Sequence, residues 1–199
     1  MAMIGCKARR AGLASPGAGS AAVPVLTAKV CLLGDPAVGK SSLVHCMAGD
    51  RFNEMYVTTV GARVLKKTVT VRHPVARSEV RVRLMLWEIT GHLGPAVSHP
   101  FLRGADAAIV VSDMARLETQ IDLWKWVEAA RFAAGDLPVI LIVNKTDLGE
   151  PGFDAGVAQE LSAEYRCPCY YTSARTGANV EEAFTGVAAR LVGRELSGA

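Results

Sequence analysis

Eight consecutive residues, Gly34-Asp35-Pro36-Ala37-Val38-Gly39-Lys40-Ser41, have the types and spacing of a phosphate-cradling loop, G-x-x-x-x-G-K-[ST]. In such a loop, backbone N–H groups converge on phosphate oxygens, and Gly34 and Gly39 permit the close approach. The N-terminus of a following helix adds a partial positive charge. Lys40 supplies a point charge for β- and γ-phosphates, and the Ser41 hydroxyl is a ligand for Mg²⁺. The apolar run Val30-Cys31-Leu32-Leu33 before the motif reads as a strand, and Ser42 to Met47 after it as a helix. That strand–loop–helix context separates the motif from a chance match. The expected phosphate-binding residues are Gly34, Pro36, Ala37, Val38, Gly39, Lys40, Ser41 and Ser42, and the expected ligand is a nucleoside triphosphate.

A second cluster points to the base. Asn144-Lys145-Thr146-Asp147 follows the apolar run Val139–Val143 about a hundred residues later. A carboxylate at a strand's end accepts both hydrogen bonds from the N1–H and N2–H₂ edge of guanine. Adenine lacks that donor pair and would leave the carboxylate unpaired, which is costly. Asp147 is therefore the expected guanine reader. Asn144 is placed to bridge this corner to the phosphate loop, and the Lys145 stem to cover the base.

The elements that must carry these groups alternate along the chain. The 199 residues suit one domain with a short appendage; half are hydrophobic and 21% charged, as in a globular protein with a sizeable core. Val69 and Val71, then Val80, Val82, Leu84 and Leu86, alternate with polar residues on either side of His73–Ser78, which predicts a hairpin. Ala107–Ser112 and Val139–Val143 have the length and continuity of buried strands. Helices are predicted over Leu117–Phe132, with apolar Leu117, Ile121 and Trp124, and through Val157, Leu161 and Tyr165. The last helix presents Val180, Phe184, Val187 and Leu191 on one face, behind a capping-box-like Asn179 and Glu182. Trp124 and Trp126 read as core and surface-cover residues. Alternation of this kind predicts a doubly wound α/β domain, with ligands at the carboxyl ends of its strands.

The net charge of +3 is uneven: Lys7, Arg9, Arg10 and Lys29 stand in the first thirty residues without an acid. Residues 1–27, rich in Ala, Gly and Pro, read as a flexible basic leader, and 28–199 as the folded domain. No apolar run is long enough to span a membrane. The five cysteines have no C-x-x-C spacing, so Cys31 and Cys46 read as buried packing residues in a reducing, cytoplasmic setting.

Together these segments resemble the Ras-like small GTPases, most closely the Rab-type branch, from about Ala28 to Leu196. Thr172-Ser173-Ala174-Arg175 is similar to the family's S-A-K base-cradling loop, with Arg175 in the lysine position. Tyr56-Val57-Thr58-Thr59-Val60-Gly61 is similar to the first switch, and Phe101 to Asp106 resembles the stretch after the second. The resemblance implies a P-loop small-GTPase domain: a mostly parallel central sheet with one antiparallel hairpin strand and helices on both faces. It implies nucleotide contacts at Tyr56, Thr59, Gly91, Ser173, Ala174 and Arg175, and Mg²⁺ held by Ser41, Thr59 and, through water, Glu88. It also implies that residues 52–61 and 88–100 switch between GTP and GDP states to control activating, exchange and effector proteins. No nucleic-acid partner and a monomer are expected. No cysteine follows Cys169, so no lipid anchor is expected either; membrane contact would run through a partner or the basic leader.

The second switch departs from the family's W-D-x-x-G-Q, reading Trp87-Glu88-Ile89-Thr90-Gly91-His92. Glu88 in place of aspartate predicts a retuned metal affinity, because Mg²⁺ demands near-octahedral ligation. The glutamine orients the attacking water in this family; His92 either takes over that role, as in the translational GTPases, or has lost it. Pro36 lacks an N–H and stands where an activating partner's arginine would enter. Two functions follow: a slow GTPase, with Lys40, Thr59 and His92 as the catalytic candidates, or a nucleotide-dependent interaction module with negligible turnover. A small-molecule kinase is disfavoured, because no arginine-rich lid is apparent between Asp113 and Phe132.

Overall fold

The apolar runs of this chain become strands, and the stripes between them become helices. A computed structural model describes residues 25–48, 55–58, 62–75, 77–90, 92, 94–149 and 156–195. Thr59, Gly91 and residues 1–24 lie outside the described residues. In chain order the elements are β1 (Val25–Leu33), α1 (Lys40–Ala48), β2 (Met55–Thr58), β3 (Ala62–Arg72), β4 (Glu79–Ile89), α2 (Gly94–Val97) and α3 (His99–Leu102). They continue with β5 (Ala107–Asp113), α4 (Leu117–Ile121), α5 (Leu123–Ala134), β6 (Val139–Asn144), a 3-10 turn at Thr146–Leu148, α6 (Gly156–Glu164), β7 (Cys169–Tyr171) and α7 (Val180–Glu195).

The described strands form one seven-stranded sheet in the order β2-β3-β4-β1-β5-β6-β7. All pairings are parallel except those of β3, which runs antiparallel to both β2 and β4. This is the mostly parallel sheet with one reversed strand expected from the sequence. The predicted hairpin closes where expected: Arg72 stands opposite Glu79, and His73 N–H donates to the Ser78 carbonyl at 2.8 Å.

Period two divides each buried strand between two cores. Val30, Leu32, Ile109, Val111, Ile140 and Ile142 face one side, with Leu43 and Val44 of α1 and Phe184 and Val187 of α7. Cys31, Leu33, Ala108, Val110, Leu141 and Val143 face the other, with Leu123, Trp126, Val127 and Ala130 of α5. Both faces are covered, which is why β5 and β6 read as unbroken apolar runs. The chain leaves β1 toward β4 on one side and returns through β5 on the other. The carboxyl end of β1 therefore opens on the point where the winding reverses, and ligands bind at such crevices.

Three expectations need correction. The segment Leu117–Phe132 is two helices, α4 and α5, joined at Asp122. The break resets the helical phase, so Leu123, Trp126, Val127 and Ala130 form the buried stripe, while Leu117, Ile121 and Trp124 are 50%, 48% and 45% exposed. Trp126 is core and Trp124 surface cover. Asn179, expected to cap α7, has φ +56°, and its side-chain N–H donates to the Tyr171 carbonyl at 2.8 Å. Cys46, expected to be buried, is only half-buried at the margin of the core. Cys31 is fully buried; desolvation pushes its thiol up to about 12, with Lys29 lowering it and Asp106 raising it by smaller amounts. It packs and does not react.

Candidate functional site

The phosphate loop leaves β1 with its glycines in conformations that other residues resist. Gly34 has φ +133° and Gly39 φ +99°. A Cβ on Gly34 would run into the Val111 carbonyl oxygen of β5, and one on Gly39 into the Asn144 side-chain amide. These glycines let the loop lie against β5 and β6. Gly34→Ala is accordingly expected to cost about 2–4 kcal/mol, because the obstacle is backbone in a central strand; urea unfolding monitored by Trp fluorescence measures it.

Lys40 begins α1, yet it is only 6% exposed. Its ammonium curls back to donate to the carbonyls of Gly34 at 2.8 Å and Asp35 at 2.7 Å. Burial lowers its pKa to about 8; Glu88 and Asp35 oppose that, and the charge of Arg116 adds to it. Ser41 donates its hydroxyl hydrogen bond to a Glu88 carboxylate oxygen. These two oxygen groups suit a hard divalent cation that takes its remaining ligands from phosphate and water, as Mg²⁺ does. The described residues hold no cluster of three or more His, Cys, Asp or Glu that could bind a metal alone. The longer Glu88 side chain reaches Ser41 from β4, so the donor pair fits the ion.

A cavity of about 470 Å³ opens over this loop. It is lined by Pro36, Ala37, Gly39, Lys40, Ser41 and Ser42 from below, and by Glu88, His92 and Lys145 from the sides. Arg63 and Thr90 also line it, and sequence reasoning missed both. Arg63 was detectable only through strand register: it pairs opposite Glu88 across β3 and β4. His92 is exposed at the rim. Tyr56 lies in β2.

Asn144, buried at the end of β6, joins three loops. Its side-chain N–H donates to the Val38 carbonyl at 3.0 Å. Its Oδ1 accepts from the Thr172 hydroxyl and the Ala174 N–H, both at 3.1 Å. Lys145 sits in the left-handed region at φ +67°, and its ammonium pairs with buried Asp113 at 2.6 Å. Burial alone would raise the Asp113 carboxyl; bonds from Lys145, the Ala115 N–H and Arg116 overcome it and hold the group below its usual range. Asp147 accepts a hydrogen bond from the Ser173 hydroxyl and pairs with Arg175 Nε at 2.8 Å. The Ser173 bond, aided by Arg175 and Lys145 against some burial, keeps Asp147 ionised below its ordinary range. Val38, Asn144, Asp147, Ser173, Ala174 and Arg175 thus form one corner beside the phosphate loop.

A glycine-cornered loop opening α1 at the winding reversal of this sheet, with a second corner at the ends of β6 and β7, defines the α/β P-loop class of domain. The chain belongs to the Ras family, whose sequence profile matches residues 29–192. It is similar to the GTP-binding protein YPTM1 of Zea mays, at 32% identity over 166 residues, 82% of this chain and 77% of the maize protein. It is also similar to the Ras-related protein Rab-37 of Homo sapiens, at 34% identity over 170 residues, 83% of this chain and 74% of the human one. Such Rab- and Ypt-type relatives set it on the Rab-type branch.

Proposed function

We propose that the chain binds Mg²⁺·GTP and GDP at this cavity and hydrolyses GTP slowly to GDP and phosphate. The observation that supports this is the Asn144 bridge, which ties Val38 of the glycine-cornered loop to Thr172 and Ala174 at the end of β7. Gly34, Gly39 and the amides of Ala37 through Ser42 bind the phosphates. Lys40 exchanges its loop carbonyls for phosphate oxygens and neutralises charge on the transferring group. Asp147 reads guanine, with Ser173, Ala174 and Arg175 shaping the base pocket.

When bound, Mg²⁺ supplies further charge neutralisation across the phosphates; Ser41 and Thr59 would hold it, with Glu88 through water. His92, at the open rim, orients the attacking water. Thr59, Gly91 and Tyr56 belong to the two segments, 52–61 and 88–100, whose contacts depend on the γ-phosphate. Effector, exchange and activating proteins read those segments. The working site is cytoplasmic, with recruitment to membranes by partners.

Single-turnover hydrolysis of pre-bound GTP tests the reading. Wild type is expected to release phosphate, His92→Ala to do so about 10²-fold more slowly, and Lys40→Ala not to retain nucleotide. Bound GTP that persists uncleaved in wild type assigns the chain to the alternative, a nucleotide-dependent interaction module. Failure to take up labelled GDP or GTP at micromolar concentration with magnesium supplied removes both.

A further inference from the structure

The turn between β5 and α4 carries an arginine that the sequence motifs do not flag. Arg116 reaches back across the site, and its terminal N–H donates to the Pro36 carbonyl at 2.8 Å. Its Nε donates to Asp113 at 3.0 Å. The turn that presents it is closed by the same aspartate: Ala115 N–H donates to Asp113 Oδ1 at 3.0 Å, and Arg116 N–H to the Asp113 carbonyl at 3.1 Å. The guanidinium is thus held at both ends, against a rigid strand and against the phosphate loop.

The charge balance gives this contact a consequence. One carboxylate, Asp113, serves two cations, Arg116 and Lys145, so the charge of Arg116 is only partly neutralised by its own ion pair. Arg116 reaches the loop itself, at the carbonyl of Pro36, and Pro36 and Lys40 line the same cavity. Two of the five guanidinium N–H groups are engaged among the described residues, and the side chain is 36% exposed. Pro36 is the position at which a partner's arginine was expected to enter, and here the chain's own arginine already touches its carbonyl.

We propose that Arg116 is a built-in positioning residue of the phosphate site, which sets the loop at Pro36 and adds a fixed positive charge that favours the triphosphate over the diphosphate. It acts through the loop and through its field, since its contact with the loop is to the Pro36 carbonyl. The γ-phosphate adds negative charge over the loop that Arg116 touches. A clamp that merely shaped the loop would help both nucleotides equally. The proposal rests on nucleotide binding at this cavity.

The experiment measures affinities of nucleotide-free wild type, Arg116→Gln and Arg116→Lys for GDP and for a non-hydrolysable GTP analogue, at two salt concentrations with magnesium present. In all three proteins Asp113 keeps Lys145, so no buried carboxylate is stranded. Arg116→Gln is expected to weaken the GTP analogue about fivefold and GDP less than about twofold, as a single partly screened charge does. Arg116→Lys should restore most of the difference, because it keeps the charge and loses only the two-ended geometry. Raising salt should narrow the difference more in wild type than in Arg116→Gln. Equal loss for both nucleotides, or no loss, overturns the proposal while leaving the nucleotide reading intact. Wild type that binds neither overturns the nucleotide reading and this inference with it. Because the readout is affinity, it decides the matter whether or not the chain turns over GTP.

Discussion

An Asp147→Ala protein is expected to bind GDP about 10²–10⁴-fold more weakly than wild type and to stop distinguishing GDP from IDP. The carboxylate is ionised and aimed, held by Ser173 and Arg175, and guanine offers it two N–H donors. Each charge-assisted bond is worth about 1.5–3 kcal/mol, so losing both removes about 3–6 kcal/mol. IDP lacks the N2 amine and makes only one of the two bonds. Wild type should therefore prefer GDP over IDP by about tenfold or more, and the variant should bind them alike. Competition against a fluorescent GDP analogue measures both ratios. A GDP-to-IDP ratio that survives the substitution would place guanine elsewhere. Since Asp147 is held below its ordinary range, the wild-type preference should also persist from pH 8 down to pH 5.

The second large effect runs through Lys40. In the nucleotide-free protein its pKa is lowered to about 8, chiefly by burial; bound phosphate, carrying opposite charge, raises it again. Below about pH 8 the lysine is protonated with or without nucleotide, so it contributes no pH dependence there. Above about 8 the free protein loses the proton while the complex keeps it, and binding must take a proton up. GDP affinity is therefore expected to be flat up to about pH 8 and then to fall, by at most tenfold per pH unit.

The sign for stability without nucleotide is the reverse. Between about 8 and the unperturbed lysine value of 10.5 the unfolded chain holds more protons than the folded one, so stability rises across that window. Titrations from pH 7.5 to 9, with Lys40→Arg as the control that stays charged, isolate the effect and cancel any titration of the nucleotide itself. Lys40→Ala should lose affinity at every pH, by about 10² or more, since the loop keeps its amides but no cation. An affinity that is level through pH 9 in wild type would mean that Lys40 does not meet the phosphates.

Much of the site was legible because its signals are local. Gly34 and Gly39 are spelled by backbone conformations that few other residues adopt, and Asn144 and Asp147 by their place at a strand's end. The β3–β4 hairpin and the buried face of α7 follow from periodicity. The α4–α5 segment was harder, because a one-residue break at Asp122 shifts the helical phase. Leu117, Ile121 and Trp124 form as regular a pattern as Leu123, Trp126, Val127 and Ala130, and only packing against β5 and β6 separates them. Asn179 illustrates a different failure: an amide that suits a helix cap is equally able to donate to a neighbouring strand, and does.

Residue type and short spacing were thus sufficient for the sheet, the glycine-cornered loop after β1 and the corner at the ends of β6 and β7, since glycine conformations, strand periodicity and motif residues act over a few positions of chain. The charges around them were settled elsewhere. Arg116 meets Pro36 across 80 positions, Trp126 Nε1–H donates to Asp35 across 91, and Asn144 meets Val38 across 106. Arg63 enters the cavity only through its register with Glu88. Such pairings arise when β1, β5 and β6 lie side by side, because sheet order brings together loops that the linear chain keeps far apart.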